Sequence, residues 1–357
     1  MRNSSIPKTD SESAIQAVDA LFEQPGLVRS LHGRAAGVTS RARARLERGE
    51  PDEFAPPPVP RVAPNGVKWL PVPVWERPGS LTKDWLWAGF STRLGGLSRA
   101  YCAEDAPGEL NLGFTADDAR ETVSANRRLL AEAVTGNEGT PLVTIRQIHS
   151  SVLVLSGGKD ALRERPCKGD GLITDQPGVL LGVQTADCIP VLVADRKRRA
   201  VAAFHAGWRG TVKRIVEGGV GRMRLEFGSH PEDLIAAIGP GIGPCCYSVG
   251  EEVLSSFEAQ FLYGRELFRD VYSTDAVRTK YPMLFLTQRA PGHSPIGPGL
   301  HLNLIEANRR QLLDAGLKPR SIQVIGGCTN CHPELFFSHR ASKGHAGRMM
   351  SVIGIRP

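Results

Sequence analysis

The sequence has no apolar run that approaches the roughly 20 residues needed to cross a bilayer. Its first 40 residues lack the basic start, apolar core and small-residue cleavage site of a secretory signal. Seven cysteines, an odd number in a long chain without such a signal, favour reduced thiols over a disulfide framework, and some are candidates for metal binding. We therefore expect a cytoplasmic protein without a membrane partner.

Basic residues outnumber acidic ones, but they are not clustered along the sequence. The net charge is +7, with basic residues spread along the chain except for one compact group at 196–199, which we interpret as a solvated hairpin turn. Nucleic-acid binding depends on clustered Lys and Arg, so this distribution argues against it. Small anions such as phosphate fit the charge better.

Composition divides the chain into an N-terminal appendage, residues 1–65, and a single catalytic domain, residues 66–357. The appendage is helix-prone at first and then proline-rich between 51 and 64. Apolar residues at helical spacing within 14–22 leave two alternatives open, a docked helix or a mobile tail on a stiff linker. We expect a monomer or a weak homo-oligomer.

Short β-rich runs alternate with amphipathic helices through the rest of the chain. This pattern predicts an α+β fold in which helices flank mixed central β-sheets. The expected strands are 67–74, 85–91, 152–155, 178–184, 189–194, 200–205, 234–238 and 322–326, and the clearest expected helices are 118–134, 211–227 and 303–315.

Residues 178–210 predict a strand, a kink carrying Asp187 and Cys188, and then a hairpin whose turn lies within 195–199. Such a turn makes positions whose numbers sum to about 393 or 394 face each other. Cys188 and His205 are then expected to be cross-strand neighbours. Facing side chains in such a ladder are close enough to share one metal ion.

His149 is a third candidate ligand, because it ends a short strand-like run and small polar residues follow it. Three protein ligands leave a fourth position open, which is typical of a catalytic rather than a structural zinc site. The alternative from spacing alone is a buried free cysteine at Cys188 with hydrogen-bonded core histidines at positions 149 and 205.

Several separate motifs resemble, in order over some 250 residues, those of the multicopper polyphenol oxidoreductase (laccase-domain) family, whose members include zinc-dependent purine nucleoside phosphorylases. The motifs are FSTRLGG at 90–96, LNLGF at 110–114, RQIHS at 146–150, GDGLITD at 169–175, QTADCIPVLVAD at 184–195, AAFHAGWRG at 202–210, IGPGIGPCCYSVG at 238–250 and CTNCHPELFFSHR at 328–340.

The resemblance implies a fold shared with the cytotoxic-necrotizing-factor-like cysteine hydrolases. It implies phosphorolysis of adenosine, inosine and methylthioadenosine, with purine nucleoside and phosphate as partners and adenosine deamination as a side activity. The family's ligands, two histidines and a cysteine, fall on His149, Cys188 and His205 and imply Zn²⁺, with Cu²⁺ as the alternative. Multicopper oxidation would need more histidines than the nine present, which argues against oxidation as the main role.

Catalytic roles are expected for Cys188 and His205, and for Asp187 either as a proton carrier or as a group that orients a ligand histidine. Asp170 is the other candidate proton carrier for deamination. The expected substrate- and phosphate-binding residues are Arg93, Asn111, Arg209, His339 and Arg340.

Two other functions use the same residues. In a cysteine hydrolase acting on an amide of a peptidoglycan precursor, Cys188 would be the nucleophile and His205 its base. In a copper-dependent polyphenol oxidase, the three ligands would bind copper. Residues 328–332 spell the CxxCH of c-type haem attachment, which we set aside because haem attachment requires export.

Overall fold

The computed structural model of the chain describes residues 59–157, 159–160, 166–271 and 299–357. The expected appendage lies outside the described residues up to position 58. Residues 59–65 belong to the folded body, since Arg61–Val62 pairs with Lys68–Pro71 and Ala63 is buried in the core. The body therefore extends a few residues beyond the boundary that composition indicated.

In the described part of the chain there are sixteen strands and six α-helices. The strands are β1 (Arg61–Val62), β2 (Lys68–Pro71), β3 (Leu86–Ser91), β4 (Leu94–Ser98), β5 (Leu142–Thr144), β6 (Leu153–Leu155), β7 (Gly171–Thr174), β8 (Val179–Thr185), β9 (Ile189–Asp195), β10 (Val201–Ala206), β11 (Leu234–Ile238), β12 (Ser248–Val249), β13 (Phe268–Val271), β14 (Gly299–Leu302), β15 (Ile322–Val324) and β16 (Met349–Ile355). The helices are α1 (Pro73–Glu76), α2 (Arg120–Thr135), α3 (Trp208–Val212), α4 (Ile215–Phe227), α5 (Glu251–Gln260) and α6 (Leu304–Asp314).

Two six-stranded mixed sheets form the centre of the fold. The first has the order β1-β2-β3-β16-β8-β5, and the second has the order β15-β11-β9-β10-β7-β6. Each contains parallel pairs among antiparallel ones, β5 with β8 in the first and β6 with β7 and β11 with β15 in the second. A third, small sheet has the order β12-β14-β13.

Three apolar clusters order these elements into layers. One joins the inner faces of the two large sheets, for example Leu181 and Phe90 of the first with Leu192 of the second. Another joins the second sheet to α4 and α6, and a third joins the first sheet to α2. The expected α+β class, with mixed sheets flanked by helices, is confirmed. The comparison with cytotoxic-necrotizing-factor-like hydrolases stays a prediction.

Most expected elements are present, with two corrections. The strand expected at 67–74 ends at Pro71, because Pro73 begins the short helix α1. The helix expected at 211–227 is two helices, since Arg214 lies in the left-handed region at φ 57° and interrupts the chain between α3 and α4. No helix among the described residues is long and apolar enough to span a bilayer.

One connection decides where the functional site lies. Strand β8 belongs to the first sheet and β9 to the second, and only residues 186–188 separate them. The chain changes sheets there with Asp187 at φ 92°, a conformation that side chains other than glycine rarely adopt. The expected kink at Asp187 and Cys188 is confirmed, and it is the crossing between the sheets.

Helix α4 offers a test of the packing on the second sheet. A Cβ at Gly219 would lie 2.3 Å from the ring of the buried Phe204, whereas a Cβ at Gly221 would meet no atom within 4 Å. We expect Gly219→Ala to destabilise the fold by about 1–3 kcal/mol through overpacking. Gly221→Ala should be neutral or stabilise by up to about 1 kcal/mol, because alanine is the better helix former. Thermal unfolding of both variants checks this, and equal melting temperatures would contradict it.

Candidate metal centre

The β9–β10 hairpin places His205 beside the crossing between the sheets. The turn lies within 195–199 as expected, but His205 pairs with Pro190, so facing positions sum to 395 rather than 393 or 394. Arg199, in the left-handed region at φ 51°, is accommodated in this turn. Cys188 therefore lies just before β9 and diagonal to His205, on the same face. The expectation of directly facing side chains was wrong by two positions in the register, but the two side chains still meet.

His149 reaches the site from the loop that follows β5. The strand ends at Thr144, earlier than expected, and the loop is held against the first sheet by the side-chain amide of Gln147. That amide donates to the carbonyl of Gln184 at 2.8 Å and accepts from its N–H at 2.7 Å, as a neighbouring strand would. His149 itself lies at φ 55°, so the loop turns sharply at the candidate ligand.

His149, Cys188 and His205 converge on one point. Their ligand atoms all lie within 4.8 Å of one another, and the Sγ of Cys188 is 3.9 Å from Nε2 of His149. The two imidazole rings are nearly perpendicular at 79°, with centroids 4.9 Å apart. Gly207 closes the site from behind, where a Cβ would lie 2.9 Å from the sulfur of Cys188 and 3.1 Å from the ring of His149. Only glycine leaves room there for the three side chains.

Asp170, which is fully buried, orients both histidines. One carboxylate oxygen accepts from Nδ1 of His205 at 2.9 Å and from the backbone N–H of His149 at 3.0 Å. The other accepts from the N–H and the hydroxyl of Ser150, both at 2.6 Å, and the N–H of Ile148 points at the pair of oxygens. Since Nδ1 of His205 is engaged, its Nε2 is the nitrogen available to a metal.

The pKa shifts in this cluster favour the charged forms of Asp170, Cys188 and His205. Burial raises the pKa of Asp170, but hydrogen bonds from His205 and Ser150 outweigh it and hold that pKa well below the usual range. Burial also raises the pKa of Cys188, yet the charge of His205 and the hydrogen bond of His149 lower it to about 6. Burial lowers the pKa of His205, whereas Cys188 and Asp170 raise it to about 9. A thiolate at Cys188 is the form that binds metal.

The donor set fits a transition metal. One thiolate and two imidazoles are ligands that zinc accepts, and three protein ligands leave one position for substrate or water. A carboxylate bound to the far nitrogen of a ligand histidine is a common feature of zinc sites. His149, the most exposed of the three side chains, faces the cleft described next.

A cleft of about 1550 Å³ opens at the candidate metal site. Cationic side chains outnumber acidic ones along its walls. The cationic residues are Arg120, Arg127, Arg128, Arg146, Lys168, Arg209, Arg340 and Arg348, and the acidic residues are Glu138, Asp160 and Asp187. Aromatic faces are supplied by Phe114, Trp208 and Tyr247. Such a surface attracts anions and offers stacking faces to a planar base.

Asp187, His339 and Arg340 lie together at one wall of this cleft. The carboxylate of Asp187 accepts from the hydroxyl of Thr329 at 2.6 Å and from the backbone N–H of Arg340 at 2.7 Å. Neither oxygen is hydrogen-bonded to a ligand histidine. Asp170 is the group that orients a ligand histidine, and Asp187 instead holds the segment that carries Arg340. The guanidinium of Arg340 donates to the carbonyl of Ser248 at 3.0 Å.

Two residues expected to bind substrate lie outside the cleft lining. Arg93 donates to Glu109 and to the carbonyl of Pro333, so its cationic group is already paired within the protein. Asn111 is fully buried, donates to Asp118, and accepts from the N–H groups of Gly113 and Arg348.

Neither Arg93 nor Asn111 lines the cleft, and a role for either residue in substrate binding stays a prediction. Arg209 does line the cleft, with its guanidinium 4.4 Å from the ring of Trp208.

Sequence reasoning missed several cleft residues. One of them is Arg127, which lies on α2 with its guanidinium 4.2 Å from the ring of Phe114. Lys168 stands one residue before GDGLITD, and Tyr247 directly follows the two adjacent cysteines. Lys168 lies next to a recognised motif and Tyr247 lies within one, and these positions could have indicated that both residues line the cleft. No local pattern marks Arg127, because the tertiary packing of α2 brings it to the cleft.

The comparison with known proteins decides the family. A family model described as multi-copper polyphenol oxidoreductase laccase matches residues 87–356. The chain belongs to this laccase-like family. All of the candidate site residues, from Arg93 to Arg340, lie within the matched range.

Relatives within the family carry a common name. The chain is 35% identical over 298 residues to "Purine nucleoside phosphorylase YlmD" of Geobacillus stearothermophilus, covering 79% of this chain and 94% of that protein. It is 32% identical over 287 residues to "Purine nucleoside phosphorylase YfiH" of Escherichia coli, covering 80% and 98%. The crystal structure of YlmD from Geobacillus stearothermophilus matches with a TM-score of 0.63 at 31% identity, covering 86% of this chain and all of that one.

The role of Asp170 can be tested by Asp170→Asn. An amide keeps one accepting oxygen but turns an NH₂ group toward the N–H donors of the His149 loop, so the loop and His205 should lose their orientation. We expect the zinc concentration that half-protects Cys188 from alkylation to rise about 10- to 100-fold. Peptide mass spectrometry measures this protection at Cys188 alone.

The matched control is Asp175→Asn, which changes an exposed carboxylate five residues away. It should leave the protection of Cys188 unchanged. Equal protection in the Asp170→Asn protein and the wild type would show that the carboxylate does not organise the site.

Proposed function

We propose that this chain is a zinc-dependent purine nucleoside phosphorylase that converts adenosine, inosine or methylthioadenosine to the base and the sugar 1-phosphate. One observation carries the proposal: a three-ligand His₂Cys cluster opens into a cleft whose walls are cationic and aromatic. The names of the relatives support the same activity.

His149, Cys188 and His205 would hold the ion. When bound, zinc would supply a Lewis acid next to the substrate. The protein's own contribution is to fix the ligands: Asp170 holds the ring of His205 and the loop of His149, and Gly207 leaves room for the thiolate. A preorganised ligand set stabilises developing charge without reorganising during the reaction.

Phosphate binding falls to the cationic wall. Arg209 and Arg340 are exposed and line the cleft, and both follow the three candidate ligands in the chain. A guanidinium binds two phosphate oxygens at once, which both orients the nucleophile and offsets its repulsion from other anions. His339, next to Arg340 on the same wall, offers a further hydrogen-bond donor.

The base requires a flat, apolar surface with few polar groups. Phe114, Trp208 and Tyr247 provide aromatic faces, and the guanidinium of Arg340 lies 5.5 Å from the ring of Tyr247. Stacking against such faces positions a purine without selecting one base strongly. We assign Asp187 to positioning Arg340, because both of its oxygens already accept hydrogen bonds.

A second candidate is supported by one observation. Cys188, His205 and Asp170 form a thiolate, an imidazole and an orienting carboxylate, which is the arrangement of a cysteine hydrolase. In that case Cys188 would attack an amide carbonyl, and His205 would protonate the leaving amine. His149 has no role in such a triad, whereas it completes a metal site.

Ligand substitutions separate the two candidates. His149→Ala, Cys188→Ala and His205→Ala should each lose one equivalent of zinc and nearly all nucleoside turnover, because each removes one of three ligands. Metal analysis and an assay of base release measure both effects. His230→Ala and Cys102→Ala, which change residues outside the cleft, serve as controls and should retain metal and activity.

The hydrolase gives the opposite pattern. In that case the metal-free protein would be fully active on an amide. Alkylation of Cys188 would abolish this activity, and His149→Ala would retain it. These results would favour the hydrolase over the phosphorylase.

The phosphate assignment predicts a separation of two kinetic constants. Arg209→Ala and Arg340→Ala should raise the KM for phosphate about 10- to 100-fold, since a charged hydrogen bond contributes about 1.5–3 kcal/mol. The KM for nucleoside should change little. Any adenosine deaminase activity, which consumes water and not phosphate, should largely survive in both variants.

Arg222→Ala is the matched control, because Arg222 pairs with Glu226 on the solvent-facing side of α4. Its phosphate KM should equal that of the wild type. Equal losses of phosphorolysis and deamination in Arg209→Ala or Arg340→Ala, with zinc retained, would show that these arginines bind nucleoside or support the fold.

A further inference from the structure

A second cluster of ligand atoms lies apart from the cleft. Cys245 and Cys246 follow β11, and Cys328 and Cys331 follow β15, the strand paired with it. All four sulfur atoms lie within 4.8 Å of one another. None of the four residues lines the cleft, and none has a part in the proposed reaction.

The fold brings the two segments together through the backbone. Strands β11 and β15 run parallel, and the pairing continues in a bridge between Gly241 and Cys328. The N–H of Thr329 donates to the carbonyl of Gly241 at 3.0 Å. At Gly243 a Cβ would lie 3.1 Å from Cβ of Cys328 and 3.2 Å from Sγ of Cys245, so glycine gives the sulfur atoms room.

The sulfur positions suit a tetrahedral ion. Sγ of Cys331 lies 3.5 Å from that of Cys245 and 3.3 Å from that of Cys246. Four sulfurs at about 2.3 Å from a central zinc would be about 3.8 Å apart, close to these separations. A disulfide would instead bring two sulfurs to about 2.05 Å. The cluster is therefore spaced as a set of ligands and not as two bonded pairs.

The local backbone is also that of a metal-binding turn. In the CxxC segment the N–H groups of Cys331 and His332 both donate to the carbonyl of Cys328, closing a tight loop around the sulfur. The N–H of Gly243 points at Sγ of Cys328 at 3.2 Å, a hydrogen bond that stabilises a thiolate. On the other segment, the N–H of Cys246 donates to the carbonyl of Gly243, so the adjacent cysteines lie on a turn, and the sulfur atoms of both belong to the cluster.

We propose that Cys245, Cys246, Cys328 and Cys331 together bind one zinc ion in a closed, all-sulfur structural site. Four thiolates in tetrahedral array leave no position for substrate, which distinguishes this site from the open cluster of His149, Cys188 and His205. The CxxCH pattern at 328–332 is then half of a zinc site, with no role in haem attachment. This inference does not depend on the proposed nucleoside chemistry.

The position of the cluster gives it a function in the fold. Thr329, between the two ligands of the CxxC segment, donates to the carboxylate of Asp187 at 2.6 Å. The carbonyl of Asp187 accepts from the N–H of Ile242, three residues before Cys245. Both cysteine segments therefore contact the residue that precedes the ligand Cys188. An ion that joined the two segments would fix the crossing between the sheets without entering the cleft lining.

Metal content of the full-length protein tests the proposal. Wild type should contain two zinc ions per chain, Cys188→Ala one, the double variant Cys328→Ser/Cys331→Ser one, and the combination of all three substitutions none. Removing zinc from the Cys188→Ala protein by chelation should lower its melting temperature, because the remaining ion joins two chain segments. A double variant with as much zinc as the wild type would overturn the proposal.

X-ray absorption at the zinc edge identifies the atoms that coordinate the ion. It does not need the double variant, so it tests the proposal even if that variant fails to fold. In Cys188→Ala, where all four cysteines are intact, the expected shell is four sulfurs at about 2.3 Å with no nitrogen or oxygen. Three results would contradict a structural zinc site. They are a coordination shell that contains nitrogen or oxygen, iron in place of zinc, and a metal-free protein whose mass spectrum shows disulfides. An all-sulfur shell in a Cys188→Ala protein without nucleoside turnover would support the four-cysteine site whatever the reaction at the open cluster.

Discussion

The site depends on a single buried carboxylate. Asp170 accepts hydrogen bonds from the ring of His205, from the backbone of the loop that carries His149, and from Ser150. A buried anion without partners would be strongly destabilising, so the carboxylate and its donors must be present together. Because these donors belong to different segments, satisfying Asp170 also brings the two histidines to the same point.

The third candidate ligand is placed by a different constraint, the crossing from one sheet to the other. Cys188 lies where the chain leaves β8 and enters β9, and Asp187 carries the unusual backbone conformation that the crossing requires. The carboxylate of Asp187 is anchored by Thr329 and Arg340, and its carbonyl accepts from Ile242. Strain at this residue is offset by bonds to three other segments, as is common where a fold holds a functional group in place.

Adjacent strands joined by a short turn limit where side chains are placed, so the sequence indicates that Cys188 and His205, two of the candidate ligands, lie close together. The kink at Asp187 and Cys188 and the turn within 195–199 are as expected, whereas the register of the hairpin differs by two positions, since His205 pairs with Pro190. Arg93 and Asn111, for which substrate contacts are expected, are hydrogen-bonded to neighbouring protein groups. Glycine-flanked loops indicate where a chain bends, but they do not indicate which way a side chain points.

Long-range packing accounts for the rest. Arg127 reaches the cleft only because α2 packs on the outer face of the first sheet, and Cys245 meets Cys331 only because β11 pairs with β15. Neither pairing has a local signal in the sequence. Asp170 was considered only as a proton carrier, since its position in GDGLITD gave no sign that it would lie under the His149 loop.

We propose phosphate as a substrate at a zinc site in this cleft. ³¹P NMR of zinc-loaded protein with inosine and phosphate, together with chromatography of the free base, measures this directly. We expect sugar 1-phosphate and hypoxanthine in equal amounts, no base release without phosphate, and loss of both products on chelation with recovery on adding zinc. Free ribose in place of sugar 1-phosphate, or base release that is indifferent to phosphate or zinc, would contradict it.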